Sequence, residues 1–304
     1  MTTDAVENGR AVRAVSVIVP TRALAGRAAV LRRALDSVLA QRSVRVVPIV
    51  VINGPDGDAA LVRELHADAR LRIITLSSAD LPAALRAGRE QVETPYFAEL
   101  DDDDVLLADA LARRAEVLES DAECDVVITN GFRDDGRAQV VHVVDAAAVE
   151  RDPLRALIRQ NWLLPGSWMC RTDRVGAGLF GGMPRYLECT YLGLCFAMQF
   201  RMRFLAEPTV IWHTDSPLSV SASSDYILGQ VPALERIVEL ELPADVRQRY
   251  REELAPACNA IARQHAAAGS LREAWNWHVR SLREPGGWRH VGFTRQLFRP
   301  RLTR

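Results

Sequence analysis

Between residues 12 and 130 the chain alternates short runs rich in Val and Ile with longer segments of helical period, and this alternation narrows the possible folds more than any other feature. Residues 12–20 (VRAVSVIVP), 47–53 (VPIVVIN), 71–76 (LRIITL), 95–100 (PYFAEL) and 124–130 (CDVVITN) read as strands. The second is expected to begin after Pro48, because a proline inside a central strand deletes a ladder hydrogen bond. Residues 28–41, 59–67, 81–92 and 105–120 read as helices; in the first, Leu31, Leu35, Val38 and Leu39 share a face. Strands alternating with helices of this length need crossover connections, which implies an α/β fold with a mostly parallel central sheet and helices on both faces. Ligands of such sheets bind outside the carboxyl ends of the strands, so the loops at 20–27, 53–58 and 101–104 are the first places to look. FRDDGR (132–137) reads as a hairpin turn before 138–145, where antiparallel pairing is expected to begin. Beyond residue 225 helical segments broken by Pro243, Gly269 and the PGG at 285–287 suggest about three helices. The expected organisation is a leader over 1–12, an α/β domain over 13–225 and a helical extension over 226–304.

The fourth of these strands runs into Asp101-Asp102-Asp103-Asp104. If the strand continues through residue 103, Asp101 and Asp103 project to one face and Asp102 and Asp104 to the other. Two carboxylates on one face repel unless a cation neutralises them, and hard oxygen ligands suit Mg²⁺ or Mn²⁺ carrying substrate phosphates. The competing structural reading is a solvated acidic loop that caps the helix starting at 105.

Composition removes several other chemistries. A formal net charge of -1 offers no bulk attraction for nucleic acid. The sequence contains no lysine, which excludes Schiff-base enzymes, P-loop NTPases and protein kinases that depend on that amine. Cys124, Cys170, Cys189, Cys195 and Cys258 form an odd set without a CxxC pair, so neither a disulfide framework nor a zinc knuckle is indicated. Residues 1–10 carry Asp4 and Glu7 and lack an apolar core, so no ordinary signal peptide is expected. No run approaches the roughly 18 apolar residues of a membrane span. The expected location is the cytoplasm, with contact at the inner face of a membrane compatible with the sequence.

VSVIVPTRA (15–23), DSVLAQ (36–41), IVVINGPDG (49–57), LPAALRAG (81–88), TPYFAELDDDDVLLADAL (94–111) and WLLPGSWMCRTD (162–173) occur in an order and spacing that resembles the family 2 glycosyltransferases, which have the GT-A fold. The resemblance covers the first two-thirds of the chain. It implies a nucleotide-diphospho-sugar donor, with a UDP-sugar favoured, and a DXD-type motif for Mn²⁺ or Mg²⁺. It also implies transfer with inversion to a hydroxyl on a glycan, glycolipid or small molecule. Carried over by position, Pro20 and Thr21 would lie beside the nucleotide, Asp101 and Asp102 would join the donor site, and Asp103 would be the principal metal ligand. His213, in EPTVIWHTDSPLSVSAS (207–223), would reach the metal or diphosphate. The family's acidic pair after the second strand is Ile52-Asn53 here, which leaves a base or ribose contact to the Asn53 amide. Arg86 stands where the family often has asparagine; it either pairs with phosphate or coats a helix surface.

Inverting transfer needs a general base at the acceptor hydroxyl. The family commonly places an acidic pair at a helix start after a glycine-containing loop. In GLFGGMPRYLECTYLGLCFAMQF (178–200) the matching acid is Glu188, followed by Cys189 where a second acid is expected. Glu188 is therefore the candidate base, set against a helix-start carboxylate favoured by the dipole, with Asp173 and Asp215 as fallbacks. Trp162, Trp168 and Trp212 offer either a wall for a sugar ring or core packing. His265, His278, Trp275 and Trp277 read as packing residues. The last residues, GFTRQLFRPRLTR, interleave arginines with Phe293, Leu297, Phe298 and Leu302, a pattern compatible with an anionic membrane, a subunit contact in a homo-oligomer or a solvated tail. A non-catalytic sugar-nucleotide-binding protein on the same fold is the rival reading, motivated by Ile52-Asn53 and Cys189. A nucleotidyltransferase is disfavoured by the missing lysine and the lack of a glycine-rich phosphate loop.

Overall fold

A computed structural model describes residues 13–215 and 224–298. The chain through Met183, and again from Glu188 to the end of the last strand, forms one compact unit; Pro184–Leu187 and the C-terminal helices form a second. The proposed leader over residues 1–12 lies outside the described residues.

In the first unit β1 (Ala14–Thr21) is buried along its whole length, as a strand covered on both faces requires. α1 (Ala28–Leu39) packs through Leu31, Ala34, Leu35 and Val38, the i, i+3, i+4, i+7 stripe of an amphipathic helix. β2 (Arg45–Asn53) leads to α2 (Ala59–Ala67), whose first turn is capped by Asp58 accepting from the Ala60 and Leu61 amides. β3 (Arg72–Leu76) is followed by α3 (Leu81–Glu90), capped by Asp80. Then come β4 (Tyr96–Glu99), β5 (Val105–Leu106), α4 (Ala110–Ser120), β6 (Val126–Asp134) and β7 (Gln139–Val141). After these the chain forms α5 (Ala146–Arg151), α6 (Pro153–Arg159), β8 (Trp168–Arg171), α7 (Gly178–Gly181), α8 (Glu188–Gln199) and β9 (Met202–His213).

The sheet order is β3-β2-β1-β4-β8-β6-β9-β5, with β7 paired to β6. β3, β2, β1 and β4 are parallel, and β9 is parallel to β6. β8 is antiparallel to both β4 and β6. The chain winds outward from β1 through β2 to β3, then returns to place β4 on the other side of β1. Strand order therefore reverses at β1, and in sheets of this kind ligands bind outside the carboxyl ends of the strands at such a reversal.

Two local expectations are corrected. Pro48 lies inside β2 rather than before it, because β3 pairs with β2 only from Ile49 onward. At Pro48 the strand is flanked by β1 alone, so a missing donor on the other side breaks no ladder. Residues 105 and 106 are a strand rather than the start of a helix: Val105 and Leu106 pair with Ile211 and Val210 of β9, and the helix begins at Ala110. That pairing brings the aspartate loop to the end of β9.

The second unit is helical: α9 (Ser224–Val238), α10 (Ala244–Ala267), α11 (Leu271–Arg283) and a short α12 (Gly292–Phe298). Ala262, Ala274, Phe293 and Leu297 form a buried cluster, with Trp275 and Trp277 packed against it. His278 is fully buried, and its Nε2 lies 2.7 Å from Thr294 Oγ1. No helix among the described residues is long and apolar enough to cross a membrane.

Candidate functional site

β4 stops at Glu99, and Asp101–Asp104 form a turn in which the Asp104 amide donates to the Asp101 carbonyl at 3.2 Å. The two-by-two alternation expected of a continuing strand is therefore absent. Asp101, Asp103 and Asp104 instead converge, each with an oxygen within 4.8 Å of the others. Asp102 turns to β1, accepting from the Thr21 hydroxyl at 2.6 Å and from the Arg27 guanidinium. Arg27 also reaches Asp103 at 2.9 Å. Burial alone would lower the Arg27 pKa, but its two aspartate partners outweigh that and raise it. Arg33 donates to the Asp103 carbonyl oxygen at 2.9 Å, so a second arginine of the same helical segment holds the turn.

On the far side, the His213 amide donates to Asp104 Oδ1 at 2.8 Å, and His213 Nδ1 lies 3.8 Å from the same oxygen. Asp104 Oδ2 and His213 Nδ1 are both buried without a hydrogen-bond partner. Beneath the turn, Glu99 is buried and accepts from the Gly166 amide at 3.2 Å. Arg114 is fully buried, donates to Thr209 Oγ1 at 2.6 Å, and is pulled down to about 9 by desolvation, partly opposed by the charge of Glu99. Burial raises Asp101, and the charges of Glu99, Asp104, Asp103 and Asp102 raise it further. Glu99 and Asp104 are raised as well, again chiefly by burial. Crowded carboxylates with raised affinity for protons, beside two orphaned buried ligand atoms, form a donor set that fits a hard divalent cation.

Gly166 makes close packing under this turn possible. Its φ is +68°, and an added Cβ would stand 2.7 Å from Leu100 Cδ1 and 3.0 Å from Val210 Cγ2. Left-handed backbone costs a non-glycine residue about 1–2 kcal/mol, and overpacking adds about 1–3 kcal/mol. Gly166→Ala is therefore expected to lose at least about 2 kcal/mol of unfolding free energy in urea titrations followed by tryptophan fluorescence. A variant as stable as the parent would mean that Leu100 and Val210 yield without cost.

A family model for glycosyl transferase family 2 matches residues 16–170, just over half of the chain. The chain belongs to glycosyl transferase family 2. Among solved structures, S. aureus TarS 1–349 in complex with UDP-GlcNAc has a TM-score of 0.50 at 14% identity, covering 88% of this chain and 90% of that one. The same protein in complex with UDP gives 0.53 at 15% identity with the same coverage. The longer S. aureus TarS structure gives 0.54 at 17% identity, over 85% of this chain and 49% of that one. These likenesses are of fold, and the fold is GT-A. No curated protein matches the chain in sequence.

Within this family 2 domain, the residues anticipated from sequence fall into several groups. Thr21, Asp101, Asp102, Asp103 and His213 are gathered at one place, with Pro20 buried in β1 beside Thr21. Asn53 ends β2, and its Oδ1 accepts from the Asp80 amide at 2.7 Å; it ties β2 to the cap of α3 and leaves its amide group for other contacts. Arg86 is not brought to the cluster: it lies exposed on α3 and pairs with Glu90 of the same helix at 3.0 Å. Glu188 opens α8. The neighbouring Cys189 thiol is held well above its ordinary pKa by desolvation, then by the charges of Glu99, Asp101, Glu188 and Asp104. The first turn of α8 therefore lies within the field of the acidic cluster.

Asp173 is exposed beside Arg174, and Asp215 lies against Gly136 in the turn between β6 and β7. Trp162 and Trp168 are buried and form no sugar wall; Trp162 donates to the Pro153 carbonyl, while Trp168 packs against Phe97, Phe180 and Phe196. Trp212 is half-buried and meets the His142 ring edge-on. Sequence reasoning missed Arg27, Glu99 and Arg114, and it set Asp104, named with the four acids, on the face away from Asp101 and Asp103. Arg27 lies in the first loop singled out at the strand ends, but only tertiary structure shows that its side chain spans two aspartates.

Proposed function

We propose that this family 2 protein transfers a sugar from a nucleotide-diphosphate donor, with a UDP-sugar favoured, to a hydroxyl on a glycan, glycolipid or small molecule, with inversion at the anomeric carbon. The observation that carries this reading is the convergence of Asp101, Asp103 and Asp104 at the strand-order reversal, beside the unpartnered Asp104 Oδ2 and His213 Nδ1. Support for the donor class comes from TarS, whose solved complexes contain UDP-GlcNAc and UDP.

Asp101, Asp103 and Asp104, with His213 in reach, are the residues that would hold Mg²⁺ or Mn²⁺. When bound, such an ion supplies positive charge to the departing diphosphate. Thr21 and Arg27 fix Asp102, which keeps the loop in a single conformation and places Arg27 beside the donor phosphates. Asn53 presents its amide to the base or ribose from the end of β2. Glu188 takes the proton of the acceptor hydroxyl as that oxygen bonds to the anomeric carbon and the carbon–phosphate oxygen bond breaks. The electron pair of the broken bond leaves with the nucleoside diphosphate.

Titration calorimetry with UDP, GDP and ADP, each with and without Mn²⁺, tests the donor and the cation together. UDP is expected to bind at least tenfold more tightly with Mn²⁺ than without, and more tightly than the other two. Absence of binding by any nucleotide under both conditions would overturn the reading. A second reading, a sugar-nucleotide-binding protein without catalysis, draws on Ile52-Asn53 and Cys189 standing at positions where the family has acids. Hydrolysis or transfer of a UDP-sugar in the presence of Mn²⁺ excludes it, and metal-dependent binding with neither reaction supports it.

A further inference from the structure

The C-terminal helical unit displays large apolar side chains that remain mostly in solvent. Trp288 is 72% exposed, Val291 60% and Phe298 73%, three of the most exposed large apolar residues among those described. Trp288 and Val291 lie off the packed cluster, and Phe298, though largely exposed, sets one edge of its ring against Trp275 with 5.0 Å between centroids. On α12, Phe293 and Leu297 turn inward to Ala262 and Ala274. At 100° per residue, Val291, Arg295 and Phe298 share the opposite side of that helical segment, and Trp288 precedes Val291 by one turn. The apolar residues anticipated from sequence at this end are thus divided: Phe293 and Leu297 are core, and Phe298 is joined outside by Trp288 and Val291. Leu302 lies outside the described residues.

The charge along this segment is of one sign. From Pro285 to the end, the sequence has no Asp or Glu and carries Arg289, Arg295, Arg299, Arg301 and Arg304, the last three outside the described residues. Arg289 and Arg295 are exposed, and the Arg289 guanidinium lies over the Trp288 ring, 5.6 Å from its centroid. The whole chain has a net charge of only -1, so this basic stretch is a local feature. A second copy meeting the same stripe would press arginines against arginines with no acid in the segment to pair them. A purely polar polyanion would leave the indole, valine and phenylalanine surfaces in water. An anionic lipid interface satisfies both, taking the apolar tips below the headgroups and the guanidinium groups among the phosphates.

We propose that Trp288, Val291 and Phe298, flanked by Arg289 and Arg295, form a docking surface for anionic lipid membranes. The proposal is independent of the reaction, and its test uses no catalytic readout. The full chain is sedimented with vesicles of phosphatidylcholine alone and of phosphatidylcholine containing about one-third phosphatidylglycerol, at low and high salt. Partitioning onto the anionic vesicles is expected to exceed that onto neutral ones by at least tenfold and to fall at high salt. Trp288→Ala with Phe298→Ala, and separately Arg289→Gln with Arg295→Gln, are each expected to cut partitioning at least tenfold while leaving circular dichroism unchanged; only the first pair is expected to lower the melting temperature, by the lost edge contact of Phe298 with Trp275. Equal binding of parent and variants, or no binding to anionic vesicles, overturns the proposal. So does a concentration-dependent dimer in sedimentation equilibrium that the Trp288/Phe298 variant abolishes, since that assigns the stripe to a second copy. Binding to a soluble polyanion that rivals vesicle binding and survives the Trp288/Phe298 variant also overturns it.

Discussion

Asp103→Ala is expected to lower metal-stimulated turnover of a UDP-sugar by about a thousandfold while leaving the fold intact. The size of the loss follows from the type of interaction removed: taking one preorganised electrostatic group from a charge-stabilising site typically costs about 10²–10³ in rate, and a lost ligand also weakens the cation. The fold should survive because Asp103 is half-buried and its side chain gives up only its ion pair with Arg27. Its backbone carbonyl still accepts from Arg33, and Arg27 retains Asp102 as a partner. Three measurements separate the outcomes. Circular dichroism and thermal melting report the fold, Mn²⁺ titration in the presence of UDP reports the cation, and steady-state turnover reports the reaction. Turnover equal to that of the parent protein rejects Asp103 as a metal ligand, whatever the fate of the nucleotide site. A lost activity accompanied by unchanged Mn²⁺ affinity assigns Asp103 to the donor rather than to the ion.

The chain shows clearly where local sequence suffices to read such a site and where it does not. β1 and α2 are legible because a continuous β-branched run and an Asp58-capped amphipathic stretch each express a single local preference. The position of the acidic loop is legible for the same reason: an apolar strand ends and four acids follow. Its conformation is not. Asp101–Asp104 turn because Val105 and Leu106 pair with β9, more than a hundred residues later, and a helical period starting at residue 105 masks that pairing. His213 carries a motif resemblance, yet its attachment to Asp104 through the backbone amide depends on the same distant pairing. Arg27 is hidden differently. Several arginines flank β1 and α1, and nothing in their spacing tells Arg27, which bridges Asp102 and Asp103, from Arg22, which pairs with Asp56 on the surface. Tryptophans mislead in the opposite direction, since Trp162 and Trp168 have the composition of a ligand wall and the burial of core. Residue type therefore located the chemistry, and long-range pairing decided which side chains share it.

Glu188→Gln is expected to reduce sugar transfer by about 10²–10⁴-fold while changing UDP-sugar affinity by no more than about twofold, the pattern of a lost general base. Glutamine has nearly the same shape as glutamate and is an equally good helix former, so α8 should start unchanged. What it cannot do is accept the proton of the attacking hydroxyl. Glu188 is half-buried in the first turn of α8, and the adjacent Cys189 thiol feels Glu99, Asp101 and Asp104, so this turn lies near the acidic cluster without joining it. A base must stand across the anomeric carbon from the leaving diphosphate, and this substitution tests whether Glu188 does. Calorimetry of donor binding, together with kcat and KM for transfer, separates the possibilities. A fall in kcat with donor affinity preserved places Glu188 at the acceptor hydroxyl. If donor affinity falls in step with transfer, Glu188 holds the donor instead, and the proton must leave through a group other than the neighbouring position, where Cys189 replaces the second acid.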